Sequence, residues 1–261
     1  MSDESIAALR DFAAEVAVAA GRLTLGYFQN DVATEWKADR SPVTAADREA
    51  ELLIRRRIEA RYPHHGIIGE EWGDTRPGAA HRWIIDPIDG TRSFVRGVPL
   101  YAVLIAVERE GAVIAGAIYL PGLDELVSAG RGLGCFWNGR RCRVSTVSQL
   151  EQAYLLSSSF KHPTRRALID RLVAAAGTAR TWGDGYGYAL VATGRAEIMF
   201  DLDANPWDFA APRICVEEAG GRFSDFSGRA VTAGGDGVAT NGLLHEAVLR
   251  VAQTAEEHLR L

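Results

Sequence analysis

The sequence predicts a layered α/β protein in which helices cover sheets. Three observations point there. Two amphipathic helical segments open the chain, strand patterns joined by tight turns follow, and the second half alternates strands with helices. The middle group has an antiparallel look, which argues against a simple Rossmann arrangement.

The elements follow in order. Leu9, Phe12, Val16, Ala20, Leu23 and Tyr27 recur at helical spacing, so the N-terminal segment reads as an amphipathic helix. Its acidic start, with Arg10, Asp11 and Glu15 breaking the apolar residues, fails the pattern of a signal peptide. SPVTAADREAELLIRRRIEARYP carries a second helix, with Thr44 as N-cap, Asp47 three residues on, and Tyr62-Pro63 as its stop. GIIGEE is a short strand, and a further apolar run ends at Asp86. YAVLIAVEREGAVIAGAIYLP predicts two strands around a Glu110-Gly111 turn, and GCFWNGRRCRVS a hairpin closed by Asn138-Gly139. AYLLSSSF is then a strand, TRRALIDRLVAAAG a helix closed by Gly177, YGYALVATG a helix and AEIMF a strand. NPWDFAAPRICVEEAGG is a helix with Asn205 as cap, Pro206 at its first position and Gly220 at its end. GVATN and a C-terminal helix close the chain.

At 261 residues, 47% hydrophobic and 24% charged, the composition is that of a soluble globular protein with material for a large core. A net charge of -5 without a basic run leaves no electrostatic footprint for nucleic acid or an anionic membrane. No apolar run approaches the ~20 residues needed to cross a bilayer. Cys135, Cys142 and Cys215 are odd in number and form no CxxC pair, which fits reduced thiols in the cytoplasm.

The densest chemistry lies in WIIDPIDGTRSF, Trp83 to Phe94. Residues three apart on an extended strand point to opposite faces and lie roughly 10 Å apart, which would keep Asp86 and Asp89 from sharing a site. Asp and Pro in sequence instead predict a type I turn over Asp86-Pro87-Ile88-Asp89, with its ends within about 7 Å at their Cα atoms. Two converging carboxylates repel unless a proton or a cation lies between them. A hard divalent cation takes carboxylate, carbonyl and water oxygens, which such a turn offers. Gly90 permits close backbone approach, and a short helix starting near Thr91 adds free N–H groups as an anion seat. Cation and anion seat side by side form a phosphate site. Two other motifs are discounted. His64-His65 reads as surface loop, because a hard cation prefers oxygen. GRGLG near Gly130 neither follows a clear strand nor opens a helix, as a nucleotide fingerprint must.

With these residues in view, the chain resembles the inositol monophosphatase superfamily of metal-dependent phosphatases. IIGEE, WIIDPIDGT and WDFAAPRICVEEAGG match three metal segments in the family's order, with PVTAADREAE ahead of them and AIYLPGLDELVSAGRGLGCFWNGRRCRVS between. The resemblance implies an α-β-α-β-α sandwich of the inositol monophosphatase/fructose-1,6-bisphosphatase type, and a Mg2+-dependent phosphate monoester hydrolase. It implies one catalytic unit over 1–261, in which an α+β half, 1–147, carries most metal ligands and an α/β half, 148–261, carries Asp208 and the substrate-recognition residues. Glu70, Asp86, Asp89 and Asp208, with the Ile88 carbonyl, are the implied ligands of two or three Mg2+ ions, Asp86 bridging two of them. Gly90 and Thr91 hold the phosphate through backbone N–H groups. Glu70 and Thr91 position the attacking water and Asp47 holds the Thr91 hydroxyl, so these three are the expected catalytic residues. Displacement at phosphorus is then in line, without a covalent intermediate. Plain structural readings stand beside these roles: Asp47 and Asp208 fall where helix caps place carboxylates, and Glu70-Glu71 could be a solvated loop pair.

After DGT the family's inositol-phosphate members carry Thr-Asn and then Phe-Val-His. Arg92-Ser93-Phe94-Val95-Arg96-Gly97-Val98-Pro99 resembles instead the histidinol-phosphate phosphatase branch, which implies a place in histidine biosynthesis. Histidinol phosphate carries an ammonium and an imidazole, so its pocket should offer carboxylates. Asp184, Asp201 and Asp203 are available, and in related phosphatases the position of Asp201 contacts the alcohol part of the substrate. Tyr186 and Tyr188 could stack on the imidazole. Asp184, Tyr188 and Asp201 are therefore the expected recognition residues. Inositol 1-phosphate is the alternative substrate, because ring hydroxyls also take carboxylate partners. A non-catalytic binding role is the alternative of another kind, opposed by the complete ligand set. A phosphatase using an aspartyl nucleophile is excluded, because its DxDGT spacing differs from DPIDGT. The family also implies a homodimer acting on a small phosphate ester, with no nucleic acid or membrane partner.

Overall fold

In the computed structural model, which describes residues 5–30, 34–36, 42–231 and 234–257, the two halves of the chain build separate sheets. Asp3 and Glu4 of the acidic start, Ser41 ahead of the second helix and the last four residues lie outside that description. Helices α1 (Ile6–Leu25) and α2 (Ala45–Arg61) come first, with the small strand pair β1 (Thr34–Trp36) and β2 (Pro42–Thr44) between them. Eight strands then form one sheet. They are β3 (Gly66–Gly69), β4 (Gly73–Thr75), β5 (His81–Asp89), β6 (Ala102–Arg109), β7 (Ala112–Leu120), β8 (Glu125–Gly130), β9 (Gly134–Trp137) and β10 (Arg140–Cys142). Their order is 10-9-8-7-6-5-3-4, and only the β3–β5 pair is parallel. Helix α3 (Thr91–Val95) follows β5 directly. The second sheet takes β11 (Tyr154–Ser157), β12 (Thr178–Arg180), β13 (Ile198–Ala204), β14 (Arg222–Ser224) and β15 (Gly235–Thr240) in the order 12-11-13-15-14. Between these strands run α4 (Arg166–Ala175), α5 (Asp184–Ala192) and α6 (Pro206–Glu218), and α7 (His245–Glu257) ends the described chain.

Side-chain alternation turns these elements into layers. Trp83, Ile85, Val103 and Ile105 share one face of the first sheet and pack on Leu9, Val16, Ala50 and Ile54 of α1 and α2. Ile84, Ala102 and Leu104 point the other way, against Tyr188 of α5 and Phe209, Ala211 and Ile214 of α6. That helical layer is covered on its far side by Leu156, Met199 and Ala239 of the second sheet. The opposite face of the second sheet, with Leu155, Ile198, Phe200 and Val238, meets Ile169 of α4 and Val248 of α7. The result is α-β-α-β-α, with α5 and α6 as its central layer.

Both short turns read from the sequence close their hairpins with positive φ at each central residue, at Glu110-Gly111 and at Asn138-Gly139. GRGLG joins β8 to β9, and the N–H groups of Gly132 and Gly134 each donate to Glu218, at 2.8 Å. His65 is not surface loop. It is 8% exposed, stacks between Tyr62 and His81, and accepts the Trp83 indole N–H at Nδ1, 3.0 Å away. Pro63 ends α2, and the chain turns at once to set His65 against Trp83 of β5.

His245 is fully buried between two hydroxyls. Ser224 gives its proton to the Asp225 carbonyl at 2.6 Å, so its oxygen accepts from His245 Nε2–H at 2.9 Å. Thr240 then donates to Nδ1 at 3.0 Å. Burial pushes the His245 pKa down to about 4. The stability this neutral ring supports is complete above about pH 6.5 and is lost as pH falls toward 4. Wild type should therefore lose on the order of 2 kcal/mol relative to His245→Gln between pH 7 and pH 4, read as the difference of their urea midpoints. A pH-independent difference would contradict the neutral, buried ring.

Candidate active site

β5 does not stop in a turn. Asp86 pairs with Leu104 and Asp89 with Ala102, so three steps along β5 oppose two along β6. The expected type I turn is replaced by a β-bulge, whose extra residue shifts the side-chain period by one and brings Asp89 to the face that Asp86 occupies. Both cross-strand partners, Leu104 and Ala102, face the α5–α6 layer, and so do the two carboxylates. Asp86 braces the bulge by accepting the Ile88 N–H at 3.0 Å, and Pro87 has no N–H to lose there. Ile88, inside the bulge, points to a separate apolar cluster with Ala46, Phe94 and Tyr101.

The third acid arrives on α6. Asn205 and Asp208 form a capping box in which the Asn205 N–H donates to Asp208 Oδ2 at 2.7 Å. The structural reading and the site reading of Asp208 thus both hold geometrically. Carboxylate oxygens of Asp86, Asp89 and Asp208 lie within 4.8 Å of one another. Glu70, the first residue of the β3–β4 loop, lies close enough to Asp86 to push its carboxyl pKa up.

Burial, more than any neighbour, pushes the carboxyls of Asp86 and Asp89 well above the carboxylate range. Like charge adds to it, from Glu70 and Asp89 on Asp86, and from Asp184 and Asp208 on Asp89. Asp208 is pushed up to about 7 by burial, against the pull of the Asn205 N–H. A set of oxygens this close and mutually repelling, Asp86 buried and Asp89 and Asp208 half-buried, holds together only with protons or a cation among them. All the donors are hard oxygens, which suits Mg2+ or a similar divalent ion rather than a thiophilic one.

Gly90 follows with φ +86 and caps α3; an added Cβ would lie 3.0 Å from Asp184 Oδ2. The first turn of α3 has backbone N–H groups with no partner inside the helix, at Thr91 and just before it. Thr91 Oγ1 lies 2.9 Å from the Ile88 carbonyl and 3.4 Å from Asp47 Oδ1. Asp47, 1% exposed, also accepts the Thr44 N–H and hydroxyl at 2.7 Å each, and burial pushes its pKa up to about 6.

The expected recognition residues part company. Asp184 opens α5 at φ +53, its N–H on Ser158 Oγ at 2.8 Å, and its carboxyl is pushed up by burial and held back by Ser158 and Arg92. Asp201 accepts the Ser158 N–H at 3.2 Å and is pushed up to about 7, by burial first and then by Asp184. Tyr188 is 1% exposed, its ring packed against Phe209 and Phe223, so it offers no face to an imidazole. Asp201 is close enough to raise its hydroxyl pKa further. Asp203 lies apart, with its carboxylate on His162 at 2.8 Å. A cavity of about 880 Å³ between α4, α7 and the loop after β14 is lined by Asp203 but by none of the clustered acids.

Two contributors escaped the sequence reading. The Gly185 N–H donates to Asp89 Oδ2, and a Cβ there would sit 2.8 Å from that oxygen. Ser158 ties Asp184 to Asp201 through its hydroxyl and its N–H. The available signal was Gly183-Asp184-Gly185 ahead of a helical run, which marks a helix start as readily as a loop.

Acids converging beside a tight helical turn, at the rim of a five-layered α/β sandwich, define a phosphatase. Residues 6–257 match the inositol monophosphatase family, and the chain belongs to it. It is 47% identical over 235 residues to the histidinol-phosphatase of Chlorobaculum parvum, covering 87% of this chain and 89% of that protein. It is 40% identical over 227 residues to the histidinol-phosphatase of Mycobacterium tuberculosis, covering 84% and 87%. The crystal structure of the extragenic suppressor protein suhB from Bartonella henselae superposes with a TM-score of 0.89 at 31% identity, over 94% of this chain and 98% of that one. No helix among the described residues is long and apolar enough to cross a membrane.

Repulsion in the cluster predicts a stability gain on its removal. Asp89→Asn keeps an oxygen for the Gly185 N–H and removes a carboxyl whose ionisation folding opposes, so the metal-free variant should be more stable than metal-free wild type by about 1–2 kcal/mol. Chemical denaturation in EDTA measures this, and a less stable variant would contradict the repulsion.

Proposed function

We propose that this phosphatase hydrolyses histidinol phosphate with Mg2+ held by Glu70, Asp86, Asp89, Asp208 and the Ile88 carbonyl. The observation that carries the metal reading is the approach of Asp86, Asp89 and Asp208 to within 4.8 Å, all oxygen donors and all with raised pKa values. Bound there, Mg2+ would neutralise phosphate oxygens and make water more acidic.

The chain's own groups do the rest. The backbone N–H groups at Gly90 and Thr91 receive the phosphate, because the positive φ of Gly90 turns the chain sharply into α3. Thr91 holds its hydroxyl between Ile88 and Asp47, where it orients water with Glu70. The Ile88 carbonyl has two lone pairs, so its bond from Thr91 leaves one for an ion. Asp47 anchors Thr91 from α2, and its own Oδ2 is fixed by Thr44. The likeness to two histidinol-phosphatases supports the substrate, as do two carboxylates, Asp184 and Asp201, tied together by Ser158. A cationic ammonium or imidazole suits that pair better than a neutral ring does. Tyr188 belongs to this part as a buttress packed behind Asp201, not as a stacking surface. A homodimer in the cytoplasm, working in histidine biosynthesis, completes the proposal.

Phosphate release from histidinol phosphate and from inositol 1-phosphate, side by side, with and without Mg2+, is the test. Release from histidinol phosphate should be faster and should vanish in EDTA. Faster release from inositol 1-phosphate would replace the substrate, and no release from any monoester would point to a binding role. Asp201→Asn should lower kcat/KM for histidinol phosphate at least tenfold more than for a small uncharged ester. Equal losses on both esters would remove Asp201 from recognition.

A further inference from the structure

Glu51 is fully buried, carries no role in the chemistry above, and spends its carboxylate on the loop that bears Glu70. It lies on α2 one turn beyond Asp47, so the two acids share a helix face. Asp47 reaches Thr91, while Glu51 reaches the three-residue connection between β3 and β4, Glu70-Glu71-Trp72. Its Oε2 accepts the Glu71 N–H at 2.7 Å and its Oε1 the Trp72 N–H at 3.1 Å. Arg55, one turn further along α2, donates through Nε to the same Oε1 at 2.8 Å and through Nη2 to the Gly73 carbonyl. Below Glu70 the packing is direct: a Cβ on Gly69 would meet Glu51 Oε1 at 2.2 Å and Arg55 Nη2 at 2.6 Å.

The residues on both sides of Glu70 are therefore seated on one buried ion pair, with side chains 0% and 8% exposed for Glu51 and Arg55. A carboxylate accepting two consecutive backbone N–H groups fixes the peptide planes just after Glu70, and so the direction in which that side chain leaves the loop. A surface hairpin has no need of a buried anion to close; charge there costs desolvation unless something is fixed by it. We propose that Glu51 is a positioning residue for Glu70, setting that carboxylate against Asp86 in the metal cluster. This rests on the reading of Glu70 as a Mg2+ ligand.

The test is calorimetric titration of substrate-free protein with Mg2+, in a double-mutant cycle. Glu51→Gln turns an amide N–H2 toward one of the two loop N–H groups, so the loop must shift. It should weaken Mg2+ binding at least fivefold, Glu70→Gln should weaken it more, and the double variant should be no weaker than Glu70→Gln alone. If Glu51→Gln does not fold, Glu51→Asp, which keeps the charge on a shorter arm, should give a smaller loss that also vanishes in the Glu70→Gln background. Mg2+ affinity unchanged by the Glu51 variant, or lowered by the same factor with and without Glu70, would overturn the positioning role. Affinity unmoved by Glu70→Gln would remove the ligand reading itself, and this inference with it.

Discussion

Carboxylates that repel one another are pinned where the bulge in β5, the loop after β3 and the start of α6 converge, and the neighbouring backbone is arranged to stop them from turning away. Each of the three closest acids holds a backbone N–H: Asp86 that of Ile88, Asp89 that of Gly185, Asp208 that of Asn205. Such bonds favour the charged forms, while burial and mutual repulsion disfavour them. The second influence wins, since all three pKa values rise. A cluster of this kind weakens the empty fold and gains its stabilisation from what it binds, a common exchange of stability for function.

The layers explain how that strain is carried. The faces of β5 and β6 are buried on both sides, so Asp86 cannot swing toward solvent without disturbing Trp83, Ile84 or Leu104. Helices α5 and α6 present their N-terminal turns to the acids, and the partial positive charge of those ends offsets some of the repulsion. From beyond the first sheet, α2 sends Asp47 to Thr91 and Glu51 to the loop of Glu70. Elements distant in sequence thus fix one small volume, which is the preorganisation that the proposed displacement at phosphorus requires.

Much of this was legible beforehand. The Glu110-Gly111 and Asn138-Gly139 turns, the capping boxes at Thr44 and Asn205, and the alternation of the second half all express local chemistry, and local chemistry survives in the fold. The bulge was not legible. Asp-Pro favours a turn in isolation, but continued pairing of β5 with β6 up to Asp89 overrides that preference. Strand β8 went unread because ELVSAG is short and ends in Ala and Gly, and β4, β12 and β14 span three residues each. Tyr188 looked available for stacking because polar and glycine neighbours surround it in sequence; packing between Phe209 and Phe223 is a tertiary fact. His65 was misplaced for the same reason, its partner Trp83 lying 18 positions away.

The central claim is that these acids share protons until a cation displaces them. Adding Mg2+ to the metal-free protein at pH 7, in a weakly buffered solution with a pH indicator, tests it directly. The account predicts proton release that saturates with Mg2+, because burial and like charge push all three carboxyls up, Asp208 to about 7. Saturable Mg2+ binding without proton release, or no binding at all, would contradict it.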